Sequence, residues 1–173
     1  MDILEKFSTI RAFMFDIDGV LTDGGILVLE NGDMARVFNT KDGYALQLAV
    51  KKGYLIFAVS GSSPSAAQRR LNNLGVSEVY FQVHDKRSFV LQLMQKHKLQ
   101  KDEVLFMGDD MPDLATFDVI GLSACPADAV PDVRDHALYI SPYSGGRGCA
   151  RDVLEKVMRC HGHWQIDHTI ASK

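Results

Sequence analysis

The chain of 173 residues predicts an α/β fold, a central parallel sheet between two layers of helices. Three observations carry that prediction. Short apolar runs alternate with segments of helical periodicity from end to end, the pattern that builds parallel sheets with helices on both faces. The runs themselves read as buried strands. Clusters of Asp, Ser and Gly follow several of the runs, and in such folds the carboxyl ends of strands carry the functional residues.

The strands are expected at 12–17, 55–59, 78–81, 104–107, 120–123 and 137–140, and the helices at 44–52, 64–74, 86–97, 112–117 and 147–159. In the last helix Val153, Leu154, Val157 and Met158 form an apolar stripe at helical spacing. One segment breaks the alternation. Residues 26–38 hold two β-rich runs around Asn31-Gly32, a strong hairpin signal. An isolated hairpin is marginal in water, so this one is expected to pack against another subunit. No linker, repeat or low-complexity stretch divides the chain, which reads as a single domain over residues 1–173.

Composition narrows the function. A content of 46% hydrophobic and 24% charged residues suits a globular chain able to bury a core, and a net charge of −3 with no basic stripe argues against nucleic acid. The apolar runs are too short to span a bilayer, and residues 1–10 lack a signal-peptide pattern. Cys125, Cys149 and Cys160 show no metal-type spacing and read as reduced thiols, which points to the cytoplasm.

The most informative residues are Asp16 and Asp18. They follow the first apolar run and enter a Gly-rich turn. Side chains two apart in a strand point the same way, so both acids face one pocket. Two anions this close need a cation, which indicates a divalent metal and an acid/base pair. Ser60 ends the second run and opens a helix, a place suited to an anion, although a helix-capping serine has the same pattern. Lys86 opens the next helix; alone it reads as a surface lysine. Asp109, Asp110 and Asp113 follow the fourth run, three acids where capping needs one.

In this order the four clusters resemble the haloacid dehalogenase superfamily of phosphotransferases, whose pattern is DxD, Ser/Thr, Lys and a GDDxxD-type loop. The resemblance implies a Rossmann-like three-layer sandwich. It also implies a phosphatase in which Asp16 attacks phosphorus and Asp18 is general acid and then base. Ser60 and Lys86 would hold the phosphoryl oxygens. Mg²⁺ would sit on the Asp16 carboxylate, the Asp18 carbonyl and the Asp109 carboxylate, with Asp110 and Asp113 orienting metal waters or Lys86. The stretch between Gly24 and Ser60 is too short for a large cap domain, which places the chain in the capless branch. Water exclusion then falls to another subunit or to the substrate.

The flanking words DGVLTDGGI, FNTKDGY, GDDMPD and GGRG resemble the 3-deoxy-D-manno-octulosonate 8-phosphate (KDO 8-phosphate) phosphatases over residues 11–159. That resemblance implies a homotetramer built through the hairpins, a sugar-acid phosphate substrate, and a place in lipopolysaccharide synthesis. It puts Asn39, Thr40, Lys41, Asp42, Gly43, Gly61, Ser62 and Arg70 near the substrate. Arg147 would reach the carboxylate of a neighbour's substrate, although a Gly-rich turn before a helix also arises for structural reasons. Ser62 departs from the pattern: many of these enzymes carry Arg there, and the phosphatases of nine-carbon ulosonate 9-phosphates carry Glu. A nine-carbon substrate is therefore the alternative. A broad housekeeping phosphatase and a non-catalytic tetramerisation domain are further alternatives, the last opposed by an intact catalytic set. The tail at 161–173, with His161, His163, Trp164 and His168, is expected to be solvated or to dock on a neighbouring subunit.

Overall fold

The computed structural model describes residues 2–171 and 173. Six strands form one parallel sheet: β1 (Ala12–Phe15), β4 (Leu55–Val59), β5 (Glu78–Tyr80), β6 (Val104–Met107), β7 (Leu122–Cys125) and β8 (Tyr139–Ile140). Their order is β5-β4-β1-β6-β7-β8. The chain therefore runs outward from β1 on one side, then returns through β6 to the other. The place where that direction reverses lies beside β1, where open α/β sheets bind ligands. All residues of β1, β6 and β7 are buried, as expected of strands covered on both faces.

The helices are α1 (Ile3–Thr9), α2 (Thr40–Lys51), α3 (Ala66–Asn73), α4 (Lys86–His97), α5 (Met111–Leu114), α6 (Pro131–His136) and α7 (Cys149–Cys160). Strand side chains alternate between two cores. Phe13, Phe15, Ile56, Ala58, Leu105 and Met107 pack with residues of α1, α2, α3 and α7, including the Val153, Leu154, Val157, Met158 stripe. Ala12, Met14, Phe57, Val59, Val104 and Phe106 pack with Val90, Leu93 and Met94 of α4. Helices α1 and α6 were not expected. Asp2 and Glu5 build a capping box for α1, and Pro131 stands at the start of α6. The expected strand at 120–123 lies two residues further on, because Ile120 packs into the α4 core before β7 begins.

The hairpin at 26–38 forms, but its strands β2 (Leu27–Val28) and β3 (Met34–Ala35) pair over two residues each. The turn is longer than two residues. The Gly32 amide donates to Leu29 and the Leu29 amide to Asp33, leaving Glu30-Asn31-Gly32 as the loop. A bridge between Thr22 and Phe38 closes the base.

The start of the tail, His161 to Trp164, contacts its own chain, which corrects the expectation of a solvated segment there. The ring Nδ1 atoms of His161 and His163 lie 2.7 and 2.9 Å from the Tyr54 hydroxyl. Trp164 meets Tyr44 edge-on and lies under the guanidinium groups of Arg151 and Arg159. Buried aromatic area and cation–π contacts explain why the tail does not float free.

Two loops meet below the site with no room to spare. A Cβ placed on Gly145 would stand 1.9 Å from the Gly19 carbonyl oxygen, and the Gly146 amide donates to Val20. Gly145→Ala is expected to lower unfolding free energy by about 1–3 kcal/mol, the range for overpacking a tight contact. Urea denaturation of the two proteins measures it; equal midpoints would mean that the loops separate freely.

Candidate active site

Parallel pairing converts sequence position into depth along the sheet. Phe15 is level with Ala58 on β4 and with Met107 on β6. Asp16 is the first residue past β1, and its amide still donates to Met107. Ser60 and Gly108 leave their strands at nearly the same depth. Asp16, Ser60 and the 108–113 loop are thus delivered to one end of the sheet.

After Phe15 the chain is no longer a strand. Asp16 is extended, and Ile17–Leu21 coils into a tight turn in which Gly19 has φ +96°. A Cβ on Gly19 would lie 2.0 Å from an Asp109 carboxylate oxygen, so only glycine lets the 16–22 turn and the acidic loop approach this closely. The Thr22 hydroxyl ties the turn together, donating to Ile17 O and accepting from the Gly19 and Gly24 amides.

The two acids are not an unpaired couple facing one way, which corrects the picture of two free anions. The Lys86 ammonium, almost fully buried, donates to Asp16 Oδ1 and Asp113 Oδ1, both at 2.6 Å. Asp18 is held by a different cation: Arg36 of the hairpin donates from Nε to Oδ1 at 2.6 Å and from its terminal nitrogen to Oδ2 at 3.3 Å. Arg36 was missed in the sequence. Its only signal is a lone arginine in a run that otherwise pairs as a short strand.

Asp113 also accepts from the Asp109 and Asp110 amides, so it clamps its own loop and Lys86 together. Of the two acids expected to orient Lys86 or metal waters, Asp113 is the one bonded to Lys86; Asp110 has another partner. Its carboxylate caps α5 at the Met111 amide, because a helix start needs an acceptor there. Asp109 differs from its neighbours: its Oδ1 is buried and has no hydrogen-bond partner among the described residues. Oxygens of Asp16, Asp109 and Asp113 lie within 4.8 Å of one another.

This crowding shows in the acids. Burial, helped by Asp113 and opposed by Lys86, raises Asp16 to about 7. Burial and then the charges of Asp16, Asp113 and Asp110 push Asp109 up to about 8. An all-oxygen set with an orphaned acceptor and too much negative charge fits a hard divalent cation, with Asp16 and Asp109 as carboxylate ligands.

Ser60 is buried, and its hydroxyl oxygen accepts from the Ser62 amide at 3.1 Å and pairs with the Ser62 hydroxyl at 2.8 Å. Ser62 thus touches Ser60, and Gly61 lies in the turn between them. The other expected contact residues divide. Gly43 abuts the Arg70 guanidinium. Arg70 lines a cavity of about 430 Å³ together with Arg36, Phe38 and the Ser65-Ala66-Ala67 start of α3. Asn39 caps α2, where Thr40 is the first helical residue, and donates to Gly146 O. Asp42 is buried and accepts from the Gly148 and Arg151 amides at 3.3 and 2.8 Å. Its carboxylate caps α7 at that helix's first turn. Lys41 and Arg147 line a separate cavity of about 620 Å³ along α7, and Arg147 reaches Asp23 at 3.4 Å.

Because both raised acids must lose protons to bind metal, Mg²⁺ affinity is expected to tighten as pH rises from 6 to 8.5. The same acids hold protons in the folded state that the unfolded chain has released, so metal-free stability falls as pH rises through that window. Thermal melts with and without Mg²⁺ at both pH values read the two effects. A pH-independent Mg²⁺ stabilisation would exclude Asp16 and Asp109 as the titrating ligands.

The family model of haloacid dehalogenase-like hydrolases matches residues 75–151. The chain is 30% identical over 161 residues to the 3-deoxy-D-manno-octulosonate 8-phosphate phosphatase KdsC of Escherichia coli K12, covering 93% of this chain and 86% of that one. A probable YrbI-family phosphatase of Pseudomonas syringae superposes with TM-score 0.90 at 32% identity, over 93% of this chain and 92% of that chain. The KDO 8-phosphate phosphatase of Moraxella catarrhalis, solved with magnesium, phosphate and KDO, superposes with TM-score 0.88 at 28% identity over 91% of each chain. The chain belongs to the haloacid dehalogenase-like hydrolases, within the KDO 8-phosphate phosphatase family.

Proposed function

We propose that the protein is a Mg²⁺-dependent phosphomonoesterase that releases phosphate from KDO 8-phosphate through an aspartyl-phosphate. The observation that carries this reading is the convergence of Asp16, Lys86, Asp109 and Asp113 past the ends of β1 and β6, with Ser60 past β4. Mg²⁺ on Asp16 and Asp109, with the Asp18 carbonyl as a further ligand, would supply positive charge against the transferring phosphoryl group.

The residues divide the chemistry as follows. An Asp16 oxygen attacks phosphorus as the ester P–O bond breaks, and Asp18 gives its proton to the departing sugar oxygen. Asp18, now a carboxylate, takes a proton from water, whose oxygen attacks the aspartyl-phosphate and returns Asp16 and inorganic phosphate. Lys86 and the Ser60 hydroxyl bind phosphoryl oxygens, with Lys86 fixed by Asp113. Ser62, hydrogen-bonded to Ser60, sets the orientation of that hydroxyl.

Arg70, bordering the cavity beside the site, suits an acidic sugar, and its position favours an ulosonate phosphate over a neutral ester. A nine-carbon ulosonate 9-phosphate is the second reading, because Ser62 is neither the Arg common in the eight-carbon enzymes nor the Glu of the nine-carbon ones. Assembly into a tetramer through the hairpin is part of this reading, supported by its surface, where Ile26, Leu27, Val28, Leu29, Met34 and Val37 are all exposed. None of the described helices is long and apolar enough to cross a membrane.

Phosphate release with Mg²⁺ from KDO 8-phosphate, KDN 9-phosphate and an aryl phosphate tests the substrate. A kcat/KM for KDO 8-phosphate at least tenfold above the others is expected; a nine-carbon preference selects the second reading, and no release from any overturns catalysis. Asp16→Asn is expected to abolish turnover with an unchanged melting profile. Near-normal rates in that variant would remove Asp16 as nucleophile.

A further inference from the structure

Arg36 sits where the proposed chemistry has an unresolved conflict. Asp18 must hand a proton to the leaving oxygen, yet both of its oxygens accept from one guanidinium. A guanidinium only donates, so neither oxygen can point a proton back along the fork, and loosening the Arg36–Asp18 pair would free Asp18 to present one to the leaving group. Arg36 cannot simply withdraw unpartnered. Its side chain is only 7% exposed, and among the described residues its guanidinium donates to Asp18 alone. A buried cation that loses its anion needs another.

The position of Arg36 says which anion. Lys86 and Ser60 serve the phosphoryl oxygens from the β4 and α4 side. Arg36 approaches Asp18, the acid that the proposed chemistry sets on the leaving-group side. It also borders the 430 Å³ cavity shared with Arg70 and the start of α3. Two guanidinium groups line this one cavity, Arg36 bonded to Asp18 and Arg70 donating to the Lys173 carbonyl at 2.8 Å, and such groups suit a planar carboxylate, which they bind at both oxygens.

We propose that Arg36 is a specificity residue that binds the carboxylate of the sugar-acid substrate and rests on Asp18 until that carboxylate takes it. This rests on the ulosonate phosphate reading. Binding an acidic sugar would then release Asp18 for proton transfer, whereas a neutral sugar phosphate would leave the fork closed. Selectivity arises from both effects.

The test compares the full-length wild type, Arg36→Met and Arg36→Lys, with KDO 8-phosphate and arabinose 5-phosphate, an alkyl ester without a carboxylate. Melting profiles and gel filtration are run alongside to detect misfolding or altered assembly. Arg36→Met is expected to raise KM for KDO 8-phosphate roughly 10- to 100-fold, the loss of one charge-assisted pair. Its kcat/KM for arabinose 5-phosphate is expected to rise, and Arg36→Lys to recover part of the KM. Equal falls in kcat on both esters would show that Arg36 only positions Asp18 and would overturn the inference. A preference for KDO 8-phosphate that survives in Arg36→Met would overturn it too, leaving the substrate reading intact. A wild type indifferent to the carboxylate would overturn both.

Discussion

The structure depends on one constraint: more negative charge is gathered past the end of β1 than water would tolerate at that density. Asp16, Asp18, Asp109 and Asp113 come from two loops that touch only because Gly19 has no side chain. Two cations offset part of this charge, Lys86 on Asp16 and Asp113 and Arg36 on Asp18. Asp109 is left with a buried oxygen unpartnered among the described residues and a strong tendency to hold its proton. The protein thus keeps a standing deficit of positive charge, which suits a divalent ion and a phosphoryl group arriving together.

The scaffold makes that crowding affordable. β1 is flanked on both sides by parallel strands, and every residue of it is buried. The acids are therefore anchored by backbone hydrogen bonds and packing in two cores, not by mutual attraction. Helix α7 is fixed in the same way from a distance: Asp42 of α2 caps its first turn, and Tyr139 and Ser141 donate to Asp152 within it. Asp42 of FNTKDGY thereby helps keep the loop at 143–148 pressed against the catalytic turn.

Much of this was legible in the sequence, for identifiable reasons. The sheet was legible because buried parallel strands are apolar throughout, and the order of polar clusters named the loops that would meet. Asp16, Ser60, Lys86, Asp109 and Asp113 followed from that order. What stayed hidden has causes of a different kind. That Asp110 and Asp42 cap helices could not be read, because a cap and a ligand both want an acceptor at a helix start. Helices α1 and α6 are short and were overshadowed by their neighbours. Arg36 was invisible because its partner is 18 residues away, across a turn whose path depends on Gly19 and Thr22. His161 and His163 looked unattached for the same reason, their common partner being Tyr54 more than 100 residues back.

The hairpin joins two roles that the sequence shows separately. It carries a row of exposed apolar side chains, and it delivers Arg36 to Asp18. Its own pairing amounts to two residues per strand and a bridge at the base, little to hold a ribbon in place against solvent. Whatever covers those apolar residues therefore also fixes the hairpin's angle over the site, and with it the reach of Arg36. Covering them with a second copy of the chain would tie the setting of the proposed general acid to assembly, with no residue of the neighbour needed in the chemistry. In a site without a cap domain, the exposed hairpin is then the element through which the surroundings reach the catalytic carboxylates.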